Sequence, residues 1–134
     1  MNRGIDTGMV AQMKRCLIVD DSEVIRKAAR HYIECLNYEV VEAESGQQAL
    51  SQCKQRMPDV IVLDWRMPGM TTLEFLSALR LSGGAKRPFV LYCTTENDPA
   101  DISRAFMAGA DHYMLKPFDR ASLESKFIET NLAA

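Results

Sequence analysis

Five short apolar runs, each followed by a helical pattern, constrain this chain more than any other feature. The runs fall at residues 16–19, 39–41, 60–63, 89–93 and 113–115. Three of them are apolar throughout, as in Leu17-Ile18-Val19, Val60-Ile61-Val62-Leu63 and Phe89-Val90-Leu91. A strand with one wet face alternates apolar and polar residues; an unbroken apolar run belongs in a parallel sheet covered on both sides. Between the runs, Val24, Ile25, Ala28, Ala29, Tyr32, Ile33 and Leu36 recur at helical spacing, as do Ala49, Leu50, Cys53 and Met57. Leu73, Leu76 and Leu79 make a third stripe. Ile102, Ala105, Phe106 and Gly109 make a fourth, and Leu123, Phe127 and Ile128 a fifth. The Met and Phe residues of the last two helices read as core. Five βα units predict an α/β domain with a doubly wound parallel sheet.

The residues at the ends of these patterns agree. Ser45 with Gln48 and Thr71 with Glu74 have the spacing of capping boxes. Asp98-Pro99 offers an N-cap and a first-turn proline, and Asp119 a further N-cap. Gly109 is placed to end the fourth helix. Gly83-Gly84 and Pro88 mark the loop before the fourth strand. Residues 1–13 fit no unit and read as a flexible extension, leaving 14–134 as the domain.

Composition excludes several classes. With 47% hydrophobic and 25% charged residues, the 134-residue chain has enough apolar surface for one core and is not a disordered polymer. Sixteen basic against 18 acidic residues give a net charge of −2, which supplies no field for nucleic acid or anionic membrane. No apolar run approaches the roughly 18 residues of a membrane span, and residues 1–15 contain no signal-peptide core, so the expected location is cytoplasmic. Cys16, Cys35, Cys53 and Cys93 are too scattered for a C-x-x-C motif and read as reduced and buried.

In an open α/β sheet the ligand site lies beyond the carboxyl ends of the strands. Asp20 and Asp21 follow the first strand, Asp64 ends the third, Thr94 and Thr95 follow the fourth, and Lys116-Pro117 follows the fifth. Three carboxylates in one crevice repel one another unless a cation joins them, and an all-oxygen donor set with room for water favours Mg²⁺. A metal-bound aspartate beside a lysine is suited to accept a phosphoryl group as an acyl phosphate. Taken alone, Asp20-Asp21 also reads as a polar loop with a helix cap.

Asp20-Asp21, the run Val62-Leu63-Asp64-Trp65-Arg66-Met67-Pro68-Gly69-Met70, Thr94 and Lys116-Pro117-Phe118 together resemble a response-regulator receiver domain over residues 14–134. The nearest type is the single-domain regulator of chemotaxis. The resemblance implies a flavodoxin-like fold, five parallel strands in the order 2-1-3-4-5 with five helices. It implies that Asp64 takes a phosphoryl group from a histidine kinase or histidine phosphotransferase. It gives Mg²⁺ to Asp20, Asp21, Asp64 and the main-chain carbonyl of Arg66. Lys116 would contact the phosphoryl group, Thr94 would be the switch hydroxyl, and Tyr113 the aromatic that swings inward with it. It also implies a cis bond at Lys116-Pro117. Self-phosphorylation and autodephosphorylation would be the only catalysis. The expected output is a protein partner on the face of the fourth helix, fifth strand and fifth helix, from a monomer or weak dimer. In one respect the chain departs: where relatives follow Met-Pro-x-Met with Asp-Gly, Thr71-Thr72 stands here.

Other readings stay open at this level. A receiver-like binding module that needs no phosphate would keep the same fold. An aspartate-nucleophile phosphatase needs Asp-x-Asp after the first strand, and here the aspartates are adjacent. Arg26, Lys27, Arg30 and His31 read as a solvated face or as a docking surface for a kinase bundle. His31 and His112 read as surface residues and Trp65 as partly exposed packing. Arg66 and Glu96, each two residues past a site residue, are expected to bridge the mouth of the site and slow water attack.

Overall fold

A computed structural model describes residues 13–82, 86–95, 98–130 and 132. The proposed extension up to residue 12, the Gly83-Gly84 turn and Glu96 of the proposed mouth bridge lie outside them. Strands and helices alternate: β1 (Arg15–Val19), α1 (Glu23–Glu34), β2 (Glu39–Ala43), α2 (Gly46–Gln55), β3 (Val60–Asp64), α3 (Thr72–Leu81), β4 (Phe89–Thr94), α4 (Pro99–Ala108), β5 (His112–Leu115) and α5 (Arg120–Glu129). The strands form one parallel sheet in the order β2-β1-β3-β4-β5. Among the described residues no helix is long and apolar enough to cross a membrane.

The unbroken apolar runs of β1, β3 and β4 serve two cores, because successive side chains point to opposite faces. Leu17, Val19, Ile61, Leu63, Val90 and Tyr92 pack against α2, α3 and α4 through Ala49, Phe75, Leu76, Leu79 and Ala105. Cys16, Ile18, Val60, Val62, Leu91 and Cys93 pack against α1 and α5 through Ala29, Ile33, Leu123 and Phe127. Helices thus cover both faces, and the carboxyl ends of β1, β3, β4 and β5 meet along one rim.

The helix signals hold with revisions. Thr71 and Glu74 form a full capping box, and Asp98 caps α4 with Pro99 in its first turn. Gly109 ends α4 at φ 125°, in the region that only glycine occupies freely. Asp119 caps α5 and forms a box with Ser122. Ser45 caps α2, but the Gln48 side chain accepts from the Glu44 amide rather than from Ser45, so that box is half made. Leu73 is exposed: α3 buries Thr72, Phe75, Leu76 and Leu79, the i, i+3, i+4, i+7 face, and a stripe at uniform three-residue spacing drifts off that face. Ile128, Phe106 and Met107 are exposed rather than core, because the short α4 and α5 need only Ile102, Ala105, Leu123 and Phe127 to cover the sheet. Cys35 is exposed while the other three cysteines are buried. His112 lies on β5, half-buried, with Nε2 3.1 Å from a Glu129 carboxylate oxygen, whereas His31 is exposed.

Candidate functional site

The ends of β1, β3 and β5 carry the acidic cleft. Asp20 is the first residue past β1, and its amide donates to the Ala43 carbonyl at 3.1 Å, continuing the pairing with β2. Its Oδ1 accepts from the Ser22 amide at 2.9 Å. Ser22 in turn caps α1 by accepting from the Ile25 amide. The Asp20 carboxylate is therefore held by the turn that starts the helix. Asp64 is the last residue of β3, and its Oδ1 accepts from the Trp65 amide at 3.0 Å. Asp20 and Asp64 are buried and Asp21 is exposed, and one carboxylate oxygen from each lies within 4.8 Å of the others.

Lys116, one residue past β5, reaches across the cleft. Its Nζ donates to Asp20 Oδ2 and to Asp64 Oδ1, both at 2.9 Å. The Lys116-Pro117 bond is cis. Burial alone would lower the lysine pKa; the two carboxylates outweigh it and raise it, so the ammonium stays charged. Burial pushes the Asp64 carboxyl up, with Asp20 and Asp21 adding to that effect, and the Lys116 ammonium opposes it without cancelling it. One lysine does not neutralise three carboxylates. The donor set is all oxygen and fits a hard divalent cation such as Mg²⁺.

Of the remaining expected residues, Thr94 and Arg66 border this centre. Thr94 ends β4, fully buried, and its carbonyl accepts from the Lys116 amide at 2.8 Å. Arg66 and Trp65 line a cleft of about 600 Å³ with Asp20, Asp21, Asp64 and Lys116. The Arg66 guanidinium carbon lies 5.5 Å from the centre of the half-buried Trp65 ring, and Arg66 is exposed. Tyr113 stands apart from the acids on β5, edge-on to Phe106 at 6.3 Å, with Lys126 Nζ 5.8 Å from its ring centre.

Two contributors were not read from the sequence. Arg26 is buried: its Nη1 donates to the Asp20 carbonyl at 2.8 Å and its Nε to Glu42 at 3.0 Å. Lys27 and Arg30 pair with the same Glu42 while their side chains stay 59% and 38% exposed, so of these basic residues Arg26 alone leaves the solvated face and enters the interior. The signal was available, since Arg26 is in line with the core-facing Ala29 and Ile33 at helical spacing. The second is Thr72, whose hydroxyl contacts the carbonyls of Asp64 and Trp65.

A family model, the response regulator receiver domain, matches residues 16–128. The chain belongs to that family. The receiver is 34% identical to the chemotaxis response regulator CheY4 of Vibrio cholerae, covering 88% of this chain and 98% of that one with a TM-score of 0.82. A two-component response regulator of the LuxR family from Aurantimonas sp. SI85-9A1 is also 34% identical, over 91% of this chain and 86% of that one, with a TM-score of 0.78. Among curated relatives, the phosphate regulon transcriptional regulatory protein PhoB of Klebsiella pneumoniae is 32% identical over 113 residues, 84% of this chain and 49% of PhoB. The receiver thus spans about half the length of such a relative. The strand order and the two-sided helix packing are those of a CheY-like fold.

Proposed function

We propose that this receiver is a phosphorylation switch that accepts a phosphoryl group on Asp64 from a histidine kinase or histidine phosphotransferase. The observation that carries the proposal is Lys116 Nζ placed 2.9 Å from both Asp20 and Asp64, inside a cluster of three carboxylates. Asp20, Asp21 and Asp64, with the Arg66 carbonyl, would hold Mg²⁺. When bound, the ion supplies positive charge to the phosphoryl oxygens and cancels the repulsion among the acids.

The chain's own residues do the rest. The Trp65 amide and Lys116 fix the rotation of the Asp64 carboxylate. A carboxylate oxygen of Asp64 attacks phosphorus in line with the phosphohistidine P–N bond. An O–P bond forms, and the P–N bonding pair leaves with the imidazole, which is then neutral or takes a proton from solvent. Lys116 donates to a phosphoryl oxygen as charge moves onto it. The Thr94 hydroxyl turns toward the phosphoryl group, and Tyr113, on the neighbouring strand, moves inward with it. Tyr113 lies edge-on to Phe106 and borders a groove lined by Pro99, Ile102 and Ser103, which supports the reading that it passes that motion to a protein partner at α4, β5 and α5. To take an active form from 1:99 to 99:1, phosphorylation must favour it by about 5.5 kcal/mol.

The test is incubation with acetyl phosphate, with and without Mg²⁺, on wild type and Asp64→Ala, read by intact mass. A gain of one phosphoryl group that requires both Mg²⁺ and Asp64 is expected. Labelling of Asp64→Ala at the wild-type rate would refute the assignment.

A further inference from the structure

Thr72 stands at the first helical position of α3. It is buried, with 5% of its surface exposed. Its Oγ1 lies 2.8 Å from the carbonyl oxygen of Asp64 and 3.0 Å from that of Trp65. A hydroxyl has one hydrogen, which it shares between these acceptors or alternates between them. The contact falls where sheet support runs out: β1 pairs with β3 only as far as Leu63, and the Trp65 amide is the last group of this segment tied to β4, through Cys93. Beyond it, the chain turns away toward α3.

We infer that Thr72 is a positioning residue that sets the main chain of Asp64, Trp65 and Arg66 for metal binding. This inference rests on the Mg²⁺ site proposed above. A trans peptide is planar, so holding the Trp65 carbonyl also orients the amide of Arg66, the next unit in the chain. The Arg66 carbonyl is then one pair of backbone dihedrals from a fixed plane. The Asp64 carbonyl, held by the same hydroxyl, anchors the other side of the segment. Thr71 caps α3 through the Glu74 amide, which fixes where the helix begins and therefore where the Thr72 hydroxyl sits.

The experiment is a Mg²⁺ titration followed by the emission of Trp65, the single tryptophan, beside the site. Wild type, Thr72→Ser, Thr72→Val and Thr72→Ala are compared at a temperature where urea unfolding shows each to be folded. Thr72→Ser, which keeps the hydroxyl, should bind Mg²⁺ within about twofold of wild type, and Thr72→Val about tenfold more weakly. If Thr72→Val does not fold, Thr72→Ala carries the same expectation. Wild-type affinity in the folded valine or alanine variant overturns the inference and leaves the metal site standing. So does an equal loss in Thr72→Ser, because the hydroxyl would then not be the cause. If wild type shows no Mg²⁺ response, the metal site falls and the inference with it.

Discussion

Arg26 donates to the main-chain carbonyl of Asp20 at 2.8 Å from inside the protein, while Glu42 of β2 holds the other side of its guanidinium. The pair links the acidic cleft to β2 at the edge of the sheet. With side chains only 10% exposed on either partner, the interaction is largely desolvated. Arg26→Met removes the donor to Asp20 and one of the three cations on Glu42. We expect a loss of about 2–4 kcal/mol in urea denaturation, the range for breaking a buried pair reduced for the cations that remain. A loss under about 0.5 kcal/mol, typical of surface changes, would contradict this account.

The same cluster makes stability depend on acid. Burial on its own raises the Glu42 carboxyl, but hydrogen bonds from Arg30, Lys27 and Arg26 outweigh it and hold the group at about 2, below its ordinary 4.5. A group depressed in the folded state stabilises it above the unfolded value and loses that effect as pH falls through the folded value. The gap between wild type and Glu42→Gln should be full above pH 4.5 and close as pH falls toward about 2. We expect it to be about 1–3 kcal/mol at neutral pH, discounted because Lys27 and Arg30 reach solvent. A gap that stays constant down to pH 2 would rule out Glu42 as its source.

Lys116→Met separates structure from chemistry. Without the ammonium, Asp20 and Asp64 face each other uncompensated, and the metal-free protein should lose about 2–4 kcal/mol. Mg²⁺ no longer competes with a resident cation and should bind more tightly, while labelling by acetyl phosphate slows. Calorimetric Mg²⁺ titration and intact mass read the two effects. Weaker Mg²⁺ binding together with unchanged labelling would reverse the roles assigned here.

Gly109→Ala tests the turn between α4 and β5. The backbone there has φ 125°, and an added Cβ would sit 2.5 Å from Arg80 Nε. Arg80 donates to the Gly109 carbonyl, so moving it away breaks that bond as well. A destabilisation of about 2 kcal/mol is expected in chemical denaturation, in line with the cost of a disfavoured backbone conformation.

The cysteines should react unequally. Burial pushes the Cys53 thiol up to about 11 and the Cys93 thiol up to about 12, and raises Cys16 further, whereas Cys35 is exposed. A thiol-reactive dye on the native protein should modify one cysteine quickly and the others only on unfolding. Peptide mapping should place the fast label on Cys35, and Cys35→Ser should abolish it. Fast labelling at Cys53 or Cys93 would show that the packing of α2 or β4 is looser than described.

The alternation of apolar runs and helical stripes is local information, and so are the caps at Thr71, Asp98 and Asp119. Side-chain period and cap chemistry depend on neighbours a few residues away, so these features could be read directly from the chain. The acids of the cleft were legible for a related reason: in a parallel sheet, residues just past successive strands must meet at one rim, so Asp20, Asp64 and Lys116 could be brought together without coordinates. What Arg26, Lys27, Arg30 and Thr72 do was decided only by the tertiary structure. Their partners, Glu42 and the Asp64 and Trp65 carbonyls, lie on other elements, and no pattern along one helix specifies which distant group its side chains meet. The exposure of Leu73, Phe106 and Ile128 was settled in the same way. An apolar residue near the edge of a helical stripe is buried or left in water according to how much sheet its helix covers, and that area exists only once the layers have packed.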